Sequence, residues 1–129
     1  MKTILVVDDL IDIRKLIRIT VGNAYEVLEA DAGMTALQIV RDHKPCLVLL
    51  DIMMPGEMDG FQVLDAIRAD PELKATPVIM VTARGQANDY DRGMSRGANA
   101  YVIKPFSPAL LLDTIKALTQ AIRYERLSP

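Results

Sequence analysis

Short apolar runs alternate along the chain with stretches in which apolar residues recur at helical spacing. The runs predict β-strands, since segments such as Leu47–Leu50 are continuously apolar, as strands covered on both faces are. Five strands are predicted: Thr3–Val7, Tyr25–Ala30, Cys46–Leu50, Val78–Thr82 and Ala100–Ile103. Strands that alternate with helices predict a parallel sheet with right-handed crossovers and helices on both of its faces.

The helical stretches are marked by apolar stripes and by residues that begin or end helices. The stripes comprise Ile13, Leu16, Ile17 and Val21; Ala36, Leu37 and Val40; Phe61, Leu64 and Ile67; and Leu111, Leu112, Ile115, Leu118 and Ile122. Gly22 is predicted to end the first helix, and Ser107 to cap the last one with Pro108 at its first position. We predict one domain over residues 1–124 and a short tail over 125–129.

Composition narrows the class of protein. The 129 residues are half apolar and a quarter charged, which fits one globular domain. The net charge of -2 provides no basic footprint and argues against direct binding to nucleic acid. Cys46 is the only cysteine, which excludes an internal disulfide, and we expect it to be a small buried hydrophobe. No apolar run reaches the roughly 20 residues that a membrane helix needs. We therefore expect a cytoplasmic domain without membrane insertion.

Three aspartates stand at the ends of predicted strands. Asp8 and Asp9 close the first strand and Asp51 closes the third. If these strands are parallel neighbours, the three carboxylates converge at the carboxyl edge of the sheet, where open α/β sheets bind ligands. Crowded carboxylates repel one another unless a cation lies among them, and hard oxygen ligands select Mg²⁺ or Ca²⁺. The sequence therefore predicts a metal-centred acidic pocket suited to phosphate chemistry.

Further motifs fall at the same edge. Thr82 ends the fourth strand, Lys104-Pro105-Phe106 follows the fifth, and the loop after Asp51 reads Met-Pro-Gly-Glu-Met-Asp-Gly from residue 54 to 60. Together, in this order and spacing, the motifs closely resemble the receiver domain of bacterial two-component response regulators, in the stand-alone form of chemotaxis regulators. The resemblance extends from about Lys2 to Ile122. It implies a flavodoxin-like (βα)5 fold, a single doubly wound sheet of five parallel strands in the order 2-1-3-4-5.

The resemblance also implies roles for the site residues. Asp51 would be the phosphate acceptor, a carboxylate nucleophile that forms an acyl phosphate. Asp9, Asp51 and the Met53 backbone carbonyl would bind Mg²⁺, and Asp8 would act through a metal-bound water. The cation would neutralise the repulsion between donor phosphoryl group and acceptor. Lys104 would pair first with Asp51 and then with a phosphoryl oxygen.

A switch is implied by the same family. The Thr82 hydroxyl would move towards the phosphoryl group and the Tyr101 ring would turn inward, although core packing alone is an alternative role for Tyr101. Phosphorylation adds about -1.5 to -2 charge, which can bias a two-state loop. The surface that changes would comprise the helix Gln86–Arg96, the fifth strand and the last helix, and would bind a downstream protein. The Lys104-Pro105 bond is cis in this family.

The sequence departs from the family at the site. The acceptor loop is one residue longer than the common form, and we expect Gly56 to absorb the extra residue in a turn that leaves the site intact. The positions two beyond Asp51 and Thr82, which tune hydrolysis in the family, are Met53 and Arg84. We expect Met53 not to orient an attacking water and Arg84 to cover the phosphoryl group, which predicts a long-lived phosphorylated state.

The charged residues through which related winged-helix regulators form dimers are also absent from the sequence. The stretch around Asn99 lacks the acidic pair of winged-helix transcription regulators, and Thr114 stands where these usually carry Arg. A monomer, or a dimer of another geometry, is expected.

Simpler roles remain open for single residues. Asp9 could be an N-cap of the first helix, and we expect Asp59 to cap its helix rather than bind metal. His43 is expected to be a solvated residue at a helix end. Met80 and the other methionines are expected to fill the core and loops.

The leading hypothesis is a phosphorylation-dependent switch that accepts a phosphoryl group from a sensor histidine kinase or a histidine phosphotransfer protein. A free-standing regulator, a phosphorelay intermediate and the isolated receiver of a longer regulator all remain open. Another class is an aspartyl-phosphate phosphatase, but its general acid would stand at Met53. A flavin carrier lacks support because Asp8 and Asp9 would repel FMN. We expect no enzymatic turnover beyond self-phosphorylation and slow self-dephosphorylation.

Overall fold

Five strands and five helices alternate along the chain. The computed structural model describes residues 2–83, 85 and 87–127, with residues 121–127 described by their backbone alone. The elements are β1 (Lys2–Val7), α1 (Ile11–Val21), β2 (Tyr25–Ala30), α2 (Gly33–His43), β3 (Leu47–Leu50), α3 (Gly60–Ala69), β4 (Val78–Thr82), α4 (Ala87–Ser95), β5 (Ala100–Ile103) and α5 (Pro108–Leu127).

The predicted strands are confirmed with shifts of one residue at two ends. β1 begins at Lys2 rather than at the third residue, and β3 begins at Leu47. Cys46 precedes the strand, although its N–H donates to the Thr3 carbonyl at 2.8 Å, and it is half-buried rather than fully buried. The α4 helix ends at Ser95, and the predicted start at Gln86 lies outside the described residues. The α5 helix continues through the first residues of the predicted tail, and the domain boundary itself stays a prediction.

The sheet has the predicted order, β2-β1-β3-β4-β5, and all its pairs are parallel. β1 lies between β2 and β3, with Val7 paired in register with Leu50. The residues that follow these two strands therefore leave the sheet side by side at its carboxyl edge. This register, which a one-residue slip would destroy by turning every side chain to the other face, brings the acidic residues together.

The core lies on both faces of the sheet. Successive strand residues point to opposite faces, so Leu5 and Val48 pack towards α2 and α3 whereas Ile4 and Leu49 pack towards α1 and α5. Met80 is fully buried, which confirms its predicted role in the core. Two covered faces explain why the central strands β3 and β4 are continuously apolar, whereas the edge strand β2 carries Glu26 and Glu29.

Several predicted turn and cap residues are confirmed. Gly22 ends α1 with a φ of 58°, and Gly56 turns the acceptor loop with a φ of 97°. The Ser107 hydroxyl accepts from the Leu110 N–H at 3.3 Å in the first turn of α5. Asp59 caps α3 in a capping box, exchanging hydrogen bonds with Gln62.

The remaining features of this kind concern helix ends and length. His43 is exposed at the end of α2, as predicted. The N-cap position of α1 is Leu10, which makes no side-chain cap, so Asp9 does not cap that helix. Among the described residues, none of the helices combines the length and apolarity that crossing a membrane would require.

Candidate metal and phosphoryl site

Three carboxylates meet at the carboxyl edge of the sheet. Asp8 and Asp9 follow β1, Asp51 follows β3, and one oxygen from each lies within 4.8 Å of the others. Asp8 and Asp51 are buried, whereas Asp9 is exposed. The convergence predicted from the strand ends is confirmed.

Only one of the two carboxylate oxygens of Asp51 accepts a hydrogen bond from the described residues. Its N–H donates to the Val7 carbonyl at 3.0 Å, which ties it to the neighbouring strand. Its Oδ2 accepts from Lys104 Nζ at 3.1 Å. Its Oδ1 is buried and has no hydrogen-bond partner among the described residues. An unsatisfied buried carboxylate oxygen is costly, so this atom is placed to bind a ligand that the acidic cluster attracts.

The donor set fits a hard divalent cation. Carboxylate oxygens at short mutual distances, one of them exposed and two buried, are the ligands that Mg²⁺ and Ca²⁺ prefer. Three carboxylates face one ammonium here, which leaves an excess of negative charge that a cation would balance.

Lys104 bridges the two buried carboxylates. Its Nζ lies 2.6 Å from Asp8 Oδ2 and 3.1 Å from Asp51 Oδ2, and its side chain is largely buried. Its backbone N–H donates to the Thr82 carbonyl at 2.8 Å, and its bond to Pro105 is cis, as the family resemblance implied. The pairing with Asp51 expected from sequence is present, but the shorter contact is to Asp8.

Burial and charge act against each other in this cluster. Burial raises the pKa of the Asp8 carboxyl, the hydrogen bonds from Lys104 and the Leu10 N–H lower it in part, and the Asp51 charge raises it further. Burial alone would lower the pKa of the Lys104 ammonium, but its hydrogen bond to Asp8 and the charge of Asp51 raise it overall. Lys104 therefore stays charged at neutral pH.

A glycine allows α3 to begin directly against the acceptor. The Gly60 N–H donates to the Ile52 carbonyl at 2.8 Å. A Cβ at Gly60 would lie 2.1 Å from the Asp51 carbonyl oxygen, so no other residue fits without moving the backbone. The longer acceptor loop, which turns at Gly56, still delivers Asp51 to the acidic cluster. Sequence reasoning treated Gly60 only as a turn residue and missed this contact.

A cleft of about 440 Å³ adjoins the cluster on the side of the acceptor loop. It is lined by Asp9, Ile52, Met53, Met54, Pro55 and Asp59. Met53 is 61% exposed, so its side chain can reach a molecule that enters the cleft. The cleft gives access to Asp9 from solvent.

The two predicted switch residues lie on neighbouring strands. Thr82 ends β4 and is buried, whereas Tyr101 on β5 is half-buried and packs against the core. The Tyr101 ring meets the Tyr90 ring of α4 edge-on, with centroids 5.5 Å apart. Arg84, which was expected to cover the phosphoryl group, lies outside the described residues.

One residue of the site escaped sequence reasoning entirely. Arg14 on α1 donates from a terminal guanidinium nitrogen to the Asp8 carbonyl at 2.7 Å. A basic residue six positions after the first aspartate, together with Glu29 near the end of β2, was the available signal. Its meaning depends on the contact between α1 and β2, which spacing alone does not reveal.

These features define a doubly wound α/β domain with an acidic site at the carboxyl edge of its sheet. The chain belongs to the family of response regulator receiver domains, whose family model matches residues 4–116. The family and the fold expected from the motifs are therefore confirmed.

Relatives and solved structures agree. The transcriptional regulatory protein SrrA of Staphylococcus aureus is 38% identical over 130 aligned positions, which cover 98% of this chain and 52% of SrrA. The chain thus spans about half the length of the curated relatives it matches. The chemotaxis response regulator CheY4 of Vibrio cholerae is 34% identical with a TM-score of 0.84, over 92% of this chain and 98% of that one. The signal receiver domain of a putative Luxo repressor protein of Vibrio parahaemolyticus is 27% identical with a TM-score of 0.90, over 98% and 95%.

Proposed function

We propose that this chain is a phosphorylation-dependent switch of a two-component or phosphorelay system, with Asp51 as the phosphoryl acceptor. The observation that carries the proposal is the buried Asp51 carboxylate, whose Oδ1 has no hydrogen-bond partner among the described residues while Oδ2 is held by Lys104. An oxygen of Asp51 forms the new bond to phosphorus as the bond from phosphorus to the donor imidazole nitrogen breaks. The electron pair of the broken bond leaves with the imidazole.

Asp8, Asp9, Asp51 and the Met53 carbonyl would hold Mg²⁺ at this edge. Bound there, the cation would offset the negative charge shared by the carboxylates and the incoming phosphoryl group. Asp9 is the exposed member of the set and lines the cleft, so a cation bound to it could exchange with solvent. We expect Asp8, which already accepts from Lys104 and from the Leu10 N–H, to act through a bound water.

Lys104, Thr82 and Tyr101 would transmit the change. Lys104 already contacts Asp51 and would follow the charge to a phosphoryl oxygen. Its backbone N–H is tied to the Thr82 carbonyl, so the ends of β4 and β5 are linked at the site. Tyr101 is partly exposed and touches α4 through Tyr90, so an inward turn of its ring would change the surface shared by α4 and β5.

A phosphorylation-dependent switch needs a phosphoryl donor and a downstream protein as partners. A sensor histidine kinase or histidine phosphotransfer protein would supply the phosphoryl group, and Leu10 and Ile11, both more than half exposed beside the site, offer it an apolar contact. A downstream protein would bind α4, β5 and α5. We expect the domain to act in the cytoplasm, to contact no nucleic acid directly, and to catalyse only its own phosphorylation and slow dephosphorylation.

A monomer is favoured by two side chains at the surface where related regulators pair through charges. The Asn99 Oδ1 accepts from Arg68 and from the Val78 N–H, both at 2.9 Å, so this amide is used within the domain. The Thr114 hydroxyl donates to the Leu110 carbonyl within α5. Neither side chain offers a charge to a second copy.

Because the chain covers about half of SrrA, the isolated receiver of a longer regulator is the alternative to a free-standing one.

An aspartyl-phosphate phosphatase is the competing class. It would need an acid two residues after the nucleophile, and the residue there is Met53. A thioether cannot donate a proton, so this function has no support at the site.

Phosphorylation by a small donor tests the proposal. The chain is incubated with acetyl phosphate or phosphoramidate and Mg²⁺, and its intact mass is measured. We expect one phosphoryl adduct that is absent in Asp51→Asn and prevented by EDTA.

Asp59→Asn is a matched control for removing an acid near the cleft. An asparagine can keep the N-cap of α3, and Asp59 is outside the three-carboxylate cluster. This variant should take up phosphate as the wild type does. An adduct that persists in Asp51→Asn, or that forms equally well in EDTA, would exclude the assignment.

A further inference from the structure

Arg14 connects the acidic site to a charged pair on the far side of β1. Its Nε donates to Glu29 Oε1 at 2.9 Å, and a terminal nitrogen donates to the Asp8 carbonyl oxygen at 2.7 Å. The side chain is only 14% exposed. One guanidinium therefore bridges the end of β2 and the residue that begins the site.

Glu29 fixes the plane of that guanidinium. Its second oxygen accepts from Arg18 at 2.7 Å, so two arginines of α1 share one carboxylate. The hydrogen bond from Arg18, then that from Arg14, lower the pKa of Glu29 against the effect of burial. The planar Arg14 fork, once held at one side by a charged acceptor, points its remaining donor in a set direction.

Asp8 is held at four points, two on its main chain and two on its side chain. On the main chain its N–H, which belongs to the preceding peptide, donates to the Ala30 carbonyl at 3.0 Å, and its carbonyl accepts from Arg14. Its Oδ1 accepts from the Leu10 N–H and its Oδ2 from Lys104. Both of these contacts orient the side chain, but neither fixes the peptide that joins Asp8 to Asp9. The Arg14 contact is made at that peptide, where β1 ends and the sheet hydrogen bonds stop.

We propose that Arg14, clamped by Glu29, is a positioning residue for the metal and phosphoryl site. It fixes the peptide between Asp8 and Asp9 and so sets where both carboxylates stand relative to Asp51. This inference rests on the proposed function, because it assigns Arg14 to the cation site proposed there. Groups that orient metal ligands from behind typically change metal affinity by about 10–100-fold when they are removed.

Arg18 provides a control matched in charge, helix and partner. It pairs with the same Glu29 carboxylate, but its other contact is to the Val27 carbonyl at 3.1 Å, away from the site. Removal of either arginine takes one positive charge from the same pair. The general electrostatic effect of that loss favours cation binding in both variants, and more so in Arg14→Met, because Arg14 lies closer to the carboxylates and is more buried. Weaker binding in Arg14→Met would therefore run against the electrostatic effect and report on position.

The test compares Mg²⁺ affinity by calorimetry in wild type, Arg14→Met and Arg18→Met, all as the full chain. We expect Arg14→Met to bind Mg²⁺ about 10-fold more weakly, and Arg18→Met to stay within about 2-fold of wild type. A second readout is phosphorylation by acetyl phosphate against Mg²⁺ concentration. Arg14→Met should need more Mg²⁺ for half-maximal rate, with a smaller change in the rate at saturation. Equal Mg²⁺ affinity in the two variants would overturn the positioning role.

Two measures keep the result decisive. Urea unfolding shows whether both variants are folded under the assay conditions, and if Arg14→Met is not, Glu29→Gln replaces it. That variant leaves Arg14 in place without its charged clamp, and we expect weaker Mg²⁺ binding than in Arg18→Met; affinity equal to that of Arg18→Met would overturn the proposal. If wild type itself bound no Mg²⁺ and took up no phosphate, the proposed function would fail instead. The two failures are thus distinguishable.

Discussion

The guanidinium carbon of Arg92 lies 4.3 Å from the ring centroid of Phe61, so α4 is fastened to the first turn of α3. The Arg96 guanidinium stands 5.2 Å from the same ring and pairs with Asp65 at 2.8 Å. Phe61 follows Gly60, which touches the acceptor peptide. The helix proposed to carry the output surface is thus attached one residue away from the acceptor contact.

A double-mutant cycle on Phe61 and Arg92 should measure this attachment. Phe61→Leu keeps an apolar side chain and removes the π face, whereas Arg92→Met keeps the stem and removes the charge. We expect a coupling free energy of about 0.5–2 kcal/mol in urea unfolding, as for a partly desolvated cation–π contact. If the effects of the two substitutions were additive, the ring and the cation would lie close together without a net stabilising interaction.

Gly60→Ala should be among the most damaging single changes. Its Cβ would stand 2.1 Å from the Asp51 carbonyl oxygen, so α3 or the acceptor peptide must move. We expect a loss of about 3 kcal/mol or more in unfolding free energy and slower phosphorylation by acetyl phosphate. Gly22→Ala is the control, because a Cβ there meets nothing within 4 Å and only the positive φ opposes it. A Gly60→Ala protein as stable as Gly22→Ala would contradict the packing described.

The Glu29 ion pairs predict a specific dependence of stability on pH. The hydrogen bonds from Arg18 and Arg14 hold the pKa of Glu29 below its ordinary value. Its contribution is therefore fully present above the unfolded-state pKa and is lost as pH falls through the lower folded-state value. Urea unfolding of wild type and Glu29→Gln at a series of pH values should give a stability difference that shrinks in this acid range.

The difference between the two proteins is what isolates Glu29. Burial raises the pKa of Asp8, which acts in the opposite sense, but Asp8 is present in both proteins. A stability difference that stays constant across the acid range would show that the Glu29 pairs make no net contribution.

Lys104→Ala should separate phosphorylation from switching. Asp51 keeps its carboxylate, so we expect this variant to accept phosphate from acetyl phosphate with Mg²⁺. Without the ammonium that bridges Asp8 and Asp51, the change at Asp51 should not reach β5. NMR shifts of α4 and β5 on phosphorylation would be large in wild type and small in the variant. If the shifts in Lys104→Ala were as large as in wild type, Lys104 would not be needed to transmit the change from Asp51 to β5.

The lifetime of the phosphorylated state tests the role of Met53. Its exposed thioether borders the cleft and cannot hold an attacking water by hydrogen bonds as an amide can. We expect Met53→Asn to lose the phosphoryl group faster than wild type. The loss is measured by intact mass at intervals after the donor has been removed. Met53→Leu, which is also apolar, should decay as slowly as wild type. Equal rates for asparagine and methionine would count against this role.

Local patterns in the chain were enough to predict most of the fold. Apolar runs between helical stripes identified all five strands. The signal is strongest in the central strands β1, β3 and β4, which are buried along most of their length, whereas β2 contains two glutamates and β5 is only partly buried. The strand-end aspartates and the lysine after β5 could be placed together without coordinates, since parallel strands bring their carboxyl ends to one edge. The cap of Asp59 on α3 was likewise readable, because its partner lies only three residues away.

The residues alone thus sufficed to predict which strand ends carry the acidic, hydroxyl and basic groups of the site. Three contacts could be found only from the packed elements: Arg14 holds the Asp8 peptide, Gly60 leaves no room beside Asp51, and Arg92 covers Phe61. The difference lies in how far apart along the chain the interacting residues are. Backbone periodicity repeats within a few residues and is visible locally, whereas these contacts join side chains and backbone of different elements and depend on how closely those elements pack.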